Sequence, residues 1–350
     1  MKVAIITDLH FGARNDNISF LDYYEKFYRD TFFTTLKERG ITTILNLGDT
    51  FDRRKFINFN TLKRSRDMFF DPILENGMSM HMLAGNHDTY YKNTNHVNSV
   101  DLLLKEYKNI TVYDDPTELE VDGTKIAFMP WICAENYQQS MDFIKNTTAE
   151  ICMGHFEIDG FVMHRGVQSH GGLSKTEFEK FDMTFSGHYH HRSNNNRIYY
   201  LGNPYELTWS DYNDPRGFHI FDTDTRQLEF IQNPNYMFMR IEYDDTKQDY
   251  DKYDLSVCAD KYVRVVVAQK TDFYKFDSFL KNLYNTSPLD VKIIEDFSEF
   301  TEGELGGEMN LEDTMQILNG YIDSVETNVD KEDVKVFMRT LYNEAVNQTS

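Results

Sequence analysis

Val3-Ala4-Ile5-Ile6-Thr7-Asp8-Leu9-His10 is a short apolar run, rich in β-branched residues, that ends in an aspartate and a histidine. Such a run predicts a short, buried β-strand. The same pattern, an apolar strand followed by polar side chains, recurs four more times. The four later stretches are Gly48-Asp49-Thr50-Phe51-Asp52, Gly85-Asn86-His87-Asp88, Gly154-His155 and Gly187-His188-Tyr189-His190.

Strands and helices alternate over residues 1–225. Helices are predicted at about residues 19–39 and 59–75, and strands at 3–7, 41–47, 79–83, 125–129, 150–153, 183–186, 198–201 and 217–221. This alternation predicts an α/β (α+β layered) domain with a parallel-type sheet flanked by helices. Loops at the carboxyl ends of such strands assemble binding sites, so we expect the five motifs to meet.

Three further segments follow that domain. Residues 226–296 contain a β-α-β pattern, with strands at 262–268 and 291–294 around a helix at 273–284, and this predicts a small accessory domain. Residues 297–309 are acidic and Gly-rich, as in a flexible linker. In residues 310–350 apolar side chains recur at helical spacing and predict two amphipathic helices, with faces that include Leu311, Met315, Leu318, Ile322, Val334, Phe337, Met338 and Leu341.

Composition indicates a globular, cytoplasmic protein. The chain has 350 residues, 40% of them hydrophobic, and no apolar run approaches the roughly 18 residues that cross a bilayer. Met1-Lys2 leads directly into the first strand, so we predict no signal peptide. The three cysteines form no close pair, which favours free thiols in a reducing compartment.

The net charge of −21 is unevenly distributed. Residues 1–100 carry 13 Lys+Arg against 12 Asp+Glu, whereas residues 301–350 carry 3 against 11. A local basic cluster comprises Arg53, Arg54, Lys55, Lys63, Arg64 and Arg66. An acidic chain can still present a basic face, so this cluster is either a solvated surface or a contact for nucleic acid.

The side chains of the five motifs suit a pair of divalent cations. Aspartate, histidine and asparagine offer oxygen and imidazole donors without thiolate, which favours Mn²⁺, with Fe²⁺ or Mg²⁺ as alternatives, over structural zinc. Asp49 is the natural bridging carboxylate, and the pair would activate a water and hold a phosphodiester for in-line attack. His87 is a candidate general acid, with Asp88 expected to orient its ring.

Together the five motifs resemble the calcineurin-like metallophosphoesterases. Within that superfamily the chain is most similar to the SbcD and Mre-eleven nuclease subunits, and among these to the recombination endonuclease subunits of T4-like bacteriophages. Four stretches carry this closer resemblance: Gly85–Lys92, Pro130-Trp131, Gly202–Trp209 and Asn213–Asp222. The motifs cover about residues 1–225, and the remainder resembles the family in architecture only.

The resemblance assigns roles residue by residue. It implies one metal held by Asp8, His10, Asp49 and His190, and a second held by Asp49, Asn86, His155 and His188. His87 matches the catalytic histidine. Archaeal and eukaryotic members carry a second catalytic histidine where this chain has Asp52. The role of Asp52 therefore stays open between a proton donor and a residue that holds a loop or a neighbouring arginine.

The function implied is that of a Mn²⁺-dependent DNA nuclease subunit in an SbcCD-like end-processing and recombination complex. The resemblance implies a homodimer that binds an SbcC/Rad-fifty-type coiled-coil ATPase in a heterotetramer. Residues 226–296 would cap the site and bind DNA. Arg53, Arg54 and Lys55 would also bind DNA. The helical segment would bind the ATPase through Leu311, Met315, Phe337 and Leu341.

Two other functions remain open. A protein serine/threonine phosphatase is suggested by Gly48–Arg53 (G-D-T-F-D-R) and by His170–Ser174 (H-G-G-L-S). Against it, Asp88 stands where those phosphatases have glutamate, and polar residues rather than a buried strand precede His170. A non-catalytic DNA-binding subunit would show missing ligands, and none of the expected ligands is missing here.

Overall fold

The computed structural model describes residues 1–164 and 167–295, together with Lys331 and Lys335. The predicted linker at 297–309 lies outside the described residues. So does the predicted helical segment at 310–350, with Leu311, Met315, Phe337 and Leu341, apart from the two lysines. The strands and helices below all fall in the described ranges and within one compact unit, Met1–Phe300.

The described part of the chain forms seventeen strands and eight α-helices. In chain order the strands are β1 (Lys2–Ile6), β2 (Thr43–Asn46), β3 (Ser79–Leu83), β4 (Ile110–Tyr113), β5 (Thr117–Val121), β6 (Thr124–Met129), β7 (Ile151–Gly154), β8 (Val162–His164), β9 (Val167–Gln168), β10 (Met183–Ser186), β11 (Ser193–Asn194), β12 (Ile198–Tyr200), β13 (Gly217–Asp222), β14 (Leu228–Gln232), β15 (Phe238–Asp244), β16 (Tyr262–Gln269) and β17 (Asp290–Ile294). The helices are α1 (Ala13–Asp16), α2 (Ile18–Phe27), α3 (Phe33–Glu38), α4 (Phe59–Ser65), α5 (Asp71–Glu75), α6 (Ser99–Leu104), α7 (Tyr137–Asn146) and α8 (Phe273–Tyr284).

The first large sheet has the order β14-β13-β1-β2-β3-β4. β1 to β4 are parallel to one another, as the alternation of strands and helices predicts. β13 pairs antiparallel with both β1 and β14, so the sheet is mixed. A short turn joins β13 to β14, which forces the antiparallel pairing. β14 lies beyond residue 225 yet belongs to this sheet, and the division at that residue stays a prediction.

The second large sheet, β11-β12-β10-β7-β6-β5, packs face to face with the first. Their shared core contains Ile5 and Leu45 from the first sheet and Ile151, Met153 and Phe185 from the second. Separate apolar clusters cover the two outer faces, so the architecture is a two-sheet α/β sandwich flanked by helices. Burial of one face of each sheet against the other drives this layering.

Each of the two long helices predicted near the N-terminus contains a π-helical turn. One π-turn, Tyr28–Phe32, joins α2 to α3, and the other, Arg66–Phe70, joins α4 to α5. In both, a backbone N–H donates to the carbonyl five residues earlier, which inserts one extra residue into the helix. The π-turns bury Tyr28, Phe32, Phe69 and Phe70 against the first sheet.

A third, parallel sheet follows the sandwich, in the order β15-β16-β17. Its own core contains Val263, Val265 and the α8 residues Phe279 and Leu283. β15 also contacts the first part of the chain, because Phe238 packs against Trp209. That residues 226–296 form a separate domain stays a prediction.

The three cysteines of the chain are buried free thiols. Among the helices of the described residues, none is long and apolar enough to cross a membrane.

Candidate metal centre

The five polar motifs meet where the two large sheets adjoin, in loops at the carboxyl ends of strands. Loops of the first sheet, after β1, β2 and β3, carry Asp8, His10, Asp49 and Asn86. Loops of the second sheet, after β7 and β10, carry His155, His188 and His190. The two sets are in contact, since the backbone N–H of His188 donates to Oδ1 of Asp8 at 3.1 Å.

Four of these seven residues have a left-handed backbone. Their φ angles are 56° at Asp8, 44° at His10, 53° at Asp49 and 82° at His188. Such backbones are rare outside glycine and cost on the order of 1–3 kcal/mol each. Backbone hydrogen bonds between loops hold them, from Asp8 N–H to the Gly48 carbonyl and from His10 N–H to the Asp49 carbonyl, both at 3.0 Å.

Gly48 allows the loops to approach one another. Its φ is 101°, and a Cβ atom at this position would lie 2.8 Å from Cα of Gly85 and 2.8 Å from Nδ1 of His155. Any side chain would therefore push apart the loops that carry Asn86 and His155. The glycine before Asp49 is required by this close approach as well as by its backbone conformation.

Asp8, His10 and His190 form one donor group. Nε2 of His10 lies 3.0 Å from Nε2 of His190, which is 3.9 Å from Oδ1 of Asp8. Nδ1 of His10 faces Oδ1 of Asp52 at 3.2 Å. The carboxylate accepts a hydrogen bond from Nδ1, so Nε2 of His10 is the nitrogen that faces the centre.

Asp49, His155 and His188 form a second group. Nδ1 of His155 donates to the carbonyl of Leu47 at 2.8 Å, so its Nε2 also faces the centre. That Nε2 lies 3.0 Å from Oδ1 of Asn86, and Nδ1 of His188 lies 2.9 Å from the same oxygen. Several acceptor atoms thus converge on one small volume.

Asp49 contacts both groups. Its Oδ2 lies 3.3 Å from Nε2 of His155 and 3.8 Å from Nε2 of His10. Burial opposes ionisation of Asp49, but His155 and His87 outweigh it and hold the pKa of Asp49 well below its ordinary value. An ionised carboxylate between two sets of imidazole nitrogens fits a pair of divalent cations, which would displace the ring protons on binding. The assignment of each ligand to an ion stays a prediction.

His87 lies beside the first donor group, with its ring centroid 4.9 Å from that of His10. Nδ1 of His87 lies 2.7 Å from the carbonyl of Asp52, and its backbone N–H donates to Oδ1 of Asp49 at 2.8 Å. A carbonyl only accepts, so Nδ1 carries a proton and Nε2 is the nitrogen left for chemistry. Backbone groups hold this ring, and His87 also forms, with His10 and Asp52, a third cluster of donors close enough together to hold an ion.

Asp88 has different contacts from the predicted one with the His87 ring. Its buried carboxylate accepts backbone N–H groups of Gly85 at 2.9 Å and of Thr50 and Phe51 at 3.1 Å. A buried carboxylate needs donors, and the loop amides supply them. Burial and the charge of Asp49 raise the pKa of Asp88 to about 6. In this structure Asp88 ties two motif loops together, and a catalytic role for it stays a prediction.

Asp52, whose role the sequence left open, contacts two histidines. Its carboxylate faces Nδ1 of His10, and its backbone carbonyl accepts from Nδ1 of His87. Burial lowers the pKa of His10, but the Asp52 hydrogen bond and the Asp49 charge outweigh it and raise that pKa to about 9. Asp52 therefore orients rings, which the residue types alone could not reveal.

The basic cluster of the sequence is largely neutralised. Ion pairs join Arg53 to Asp16, Lys63 to Asp67, Arg64 to Asp22 and Glu25, and Arg66 to Glu106. Within the part of the chain that the structure describes, Arg54 and Lys55 have no ion pair. Of the three predicted DNA contacts, these two are therefore better placed than Arg53 to meet an anion.

A second basic feature, on the third sheet, was not found from the sequence. Arg240, Arg264 and Lys292 are register partners on β15, β16 and β17. Register partners on neighbouring strands point to the same face, so the three form a basic row across the sheet. Val263 and Val265 alternate with Arg264 and face the α8 core, which places the row on the opposite face. Each residue is an isolated basic position in its own strand, so only the strand pairing could show the row.

The basic row lies close to the N-terminal loops. The Arg264 guanidinium lies 4.0 Å from the ring centroid of Trp209. Burial and the charges of Arg14 and Arg240 lower the pKa of Arg264 to about 10. Arg14 follows His10 by four residues, so positive charge extends from the third sheet towards the loop of the first donor group.

Trp131 packs beside the second donor group, whereas His170 lies away from both groups. Trp131, in the quoted Pro130-Trp131 pair, has its ring centroid 5.2 Å from that of His188 and covers one side of this ring. His170 is exposed in the loop after β9 and is absent from both donor groups, whereas His155 is fully buried at the end of β7. His155 of the Gly154-His155 motif, rather than His170 of the H-G-G stretch, therefore belongs to the donor groups.

The fold and the donor groups define a phosphoesterase. A profile of the calcineurin-like phosphoesterase family matches residues 1–192, so the chain belongs to this family. Exonuclease subunit 1 of Enterobacteria phage T4 is 32% identical over 352 residues, covering 99% of each chain. The SbcD subunit of the SbcCD nuclease of Staphylococcus epidermidis is 22% identical over 259 residues, 65% of this chain and 67% of the relative.

Among solved structures, that of a novel archaeal phosphodiesterase is 13% identical and covers 67% of this chain and 100% of its own. The TM-score between the two structures is 0.34. The family uses a dinuclear metal site, and this chain brings together the histidines and carboxylates such a site needs. The chain is a metal-dependent phosphodiesterase.

Proposed function

We propose that this chain is the Mn²⁺-dependent DNA nuclease subunit of an end-processing and recombination complex. The observation that carries the proposal is its end-to-end similarity to an exonuclease subunit of phage T4, which spans the metal centre and the accessory segments alike. The similarity to a subunit of the SbcCD nuclease supports the same reaction.

Two sets of side chains would hold the cations. Asp8, His10, Asp49 and His190 form one set, and Asp49, Asn86, His155 and His188 form the other. When bound, the ions would activate a water and neutralise the phosphodiester. The donors are nitrogen and oxygen throughout, which supports Mn²⁺ with Fe²⁺ or Mg²⁺ as alternatives.

His87 would act as the general acid that protonates the leaving oxygen. The Asp52 carbonyl holds Nδ1 at 2.7 Å, so the ring presents Nε2 in a fixed direction. Because His87 is needed by neither ligand set, it is free to exchange a proton.

Phosphate contacts would come from Arg54 and Lys55 beside the centre and from the basic row on the third sheet. Such contacts position nucleic acid without reading its bases. The row supports a DNA-binding role for residues 226–296, since three basic side chains spaced across a sheet suit a phosphate backbone. An acidic chain needs such a local patch to attract DNA.

A homodimer that binds an SbcC/Rad-fifty-type ATPase is part of the same proposal. The relative from Staphylococcus epidermidis is named as one subunit of the SbcCD nuclease. The predicted partner-binding residues are Leu311, Met315, Phe337 and Leu341, in the apolar faces of the C-terminal segment.

The test is cleavage with Mn²⁺ of three substrates: end-labelled duplex DNA, a phosphopeptide and bis-p-nitrophenyl phosphate. We expect the wild-type protein to cleave the DNA and the diester but to leave the phosphopeptide intact. Asp49→Ala should abolish all hydrolysis and the binding of at least one ion, because it removes the shared carboxylate.

Three outcomes would contradict the proposal. Preferential hydrolysis of the phosphopeptide would identify a protein phosphatase. DNA binding without hydrolysis of any substrate would identify a non-catalytic subunit. Full Mn²⁺ stoichiometry and activity in Asp49→Ala would refute the bridging role.

A further inference from the structure

Two stretches that carry the family resemblance, Gly202–Trp209 and Asn213–Asp222, have no role in the proposed chemistry. They meet at Arg216, which is 5% exposed. A buried guanidinium is costly unless carboxylates pair with it and its N–H groups are used. The contacts of Arg216 therefore indicate what the two stretches do.

One side of the guanidinium is held by two aspartates. Nη2 donates to Oδ1 of Asp211 and to Oδ2 of Asp214, both at 2.8 Å. Oδ2 of Asp214 also lies 2.7 Å from Nδ1 of His191. These contacts neutralise the guanidinium and fix the plane in which its other nitrogens lie.

The other side of the guanidinium reaches the metal centre. Nη1 donates to Oδ1 of Asn203 and to the backbone carbonyl of His190. Gly202, with φ 71°, packs on the same carbonyl, since a Cβ atom there would lie 2.7 Å from that oxygen. The carbonyl of His190 is thus enclosed by both stretches.

This contact also joins the two large sheets. Arg216 directly precedes β13 of the first sheet, whereas His190 follows β10 of the second. The donor group of Asp8, His10 and His190 draws residues from both sheets, so its geometry depends on how the sheets are held together. The planar fork of arginine can bind a carbonyl and carboxylates at once, which a lysine ammonium cannot do in the same geometry.

We propose that Arg216 is a positioning residue for His190. By fixing the His190 backbone, it keeps this imidazole opposite His10 and Asp8, so that the donor group is formed before an ion arrives. This inference rests on the proposed role of His190 as a metal ligand. Groups that orient ligands in this way commonly contribute 10–100-fold to metal affinity.

The test is a calorimetric titration of Arg216→Lys and Arg216→Gln with Mn²⁺ in the absence of DNA. We expect one of the two Mn²⁺ affinities to fall by about 10–100-fold and the other to remain at the wild-type value. Saturating Mn²⁺ should then restore most of the turnover. Arg216→Lys keeps a positive charge beside Asp211 and Asp214, so it decides the matter if Arg216→Gln does not fold.

Two further variants separate positioning from other effects. Leu283→Ala removes a buried side chain of the third sheet's core and destabilises the protein without touching His190, so its Mn²⁺ affinities should match the wild type. His190→Ala should weaken the same ion that Arg216→Lys weakens.

Three outcomes decide against the inference. Wild-type Mn²⁺ affinities in a folded Arg216→Lys refute it, and an equal loss in Leu283→Ala reduces it to an effect of stability. Unchanged affinities in His190→Ala refute the ligand assignment together with the inference. A wild-type protein that binds two Mn²⁺ but cleaves no DNA would instead refute the proposed function alone.

Discussion

Nδ1 of His10 faces a carboxylate and Nδ1 of His155 faces a carbonyl, so both rings turn Nε2 towards the centre. At the residue scale, the sequence predicted the donor types and their positions at strand ends. It could not predict which ring nitrogen faces inward, because Asp52 and Leu47, the partners that decide this, are distant in sequence. It also misplaced the partner of His87, which is a backbone carbonyl and carries no signal in residue type.

His87→Ser tests the general acid. We expect the variant to bind two Mn²⁺ and the same DNA while turnover falls by about 10²–10⁴-fold, because the ring is held by backbone and contributes only a proton. Calorimetric titration and DNA cleavage at saturating Mn²⁺ measure the two properties. His96→Ser, at a side chain that is 81% exposed, is the control and should retain wild-type turnover. Loss of metal with normal activity per bound ion would show that His87 is a ligand.

At the scale of elements, strands with apolar runs were predicted to within two residues, as at β3 and β10. The prediction missed β4, β5, β8, β9, β11, β14 and β15. β5, for example, reads Thr-Glu-Leu-Glu-Val and alternates charged with apolar residues at the edge of its sheet, so it has no continuous apolar run. The π-turns were also missed, because they depend on how aromatic side chains pack on the sheet beneath.

Glu206 forms hydrogen bonds with the backbone at the beginning of β15. Its pKa predicts that the stability of the protein depends on pH. The carboxylate, 4% exposed, accepts the backbone N–H groups of Met237 and Phe238 at 2.5 and 2.9 Å. Burial raises its pKa from 4.5 to about 7, so the folded state binds this proton more tightly than the unfolded state does. Its stabilising contribution is complete below pH 4.5 and is lost as the pH rises through about 7.

Glu206→Gln removes this titration but keeps an oxygen that can accept both N–H groups. We expect the variant to gain stability over the wild type between pH 5 and pH 8, by up to roughly 3 kcal/mol. Urea unfolding at several pH values measures the difference. Glu229→Gln, at an exposed ion pair with Arg39, should change stability by less than about 1 kcal/mol. If the difference in unfolding free energy between Glu206→Gln and the wild type does not vary with pH, the pH dependence does not come from Glu206.

At the scale of the whole molecule, the charge of −21 coexists with local positive charge. Counting charges along the sequence indicated one basic cluster, of which the structure leaves Arg54 and Lys55 without ion pairs among the described residues. The basic row of Arg240, Arg264 and Lys292 arises only when three parallel strands pair in register. Charge along a chain and charge on a surface differ because folding sets the neighbours of each side chain.

The amphipathic helices predicted for residues 310–350 indicate a partner-binding site that is separate from the nuclease site. Deleting residues 308–350 should preserve Mn²⁺-dependent nuclease activity of the lone subunit but abolish co-purification with an SbcC-type ATPase. The reason is that short amphipathic helices need a surface on which to bury their apolar faces. Phe337→Asp should have the same effect, whereas Arg339→Asp, on the opposite side of the predicted helix, should not. Co-elution of the deletion variant with the ATPase would exclude this site.

The sequence by itself determined the fold class and the family, and it predicted the histidines, aspartates and asparagine that the structure brings together. This was possible because an apolar strand followed by Asp, His or Asn is a pattern of consecutive residues. It can be recognised without knowing which residues contact each other in the folded protein. Only the tertiary structure decided the orientation of the histidine rings, the contacts of Asp52, Asp88 and Arg216, and the basic row. Each of these depends on groups that are far apart in sequence and adjacent only after the two sheets have packed and the strands have paired.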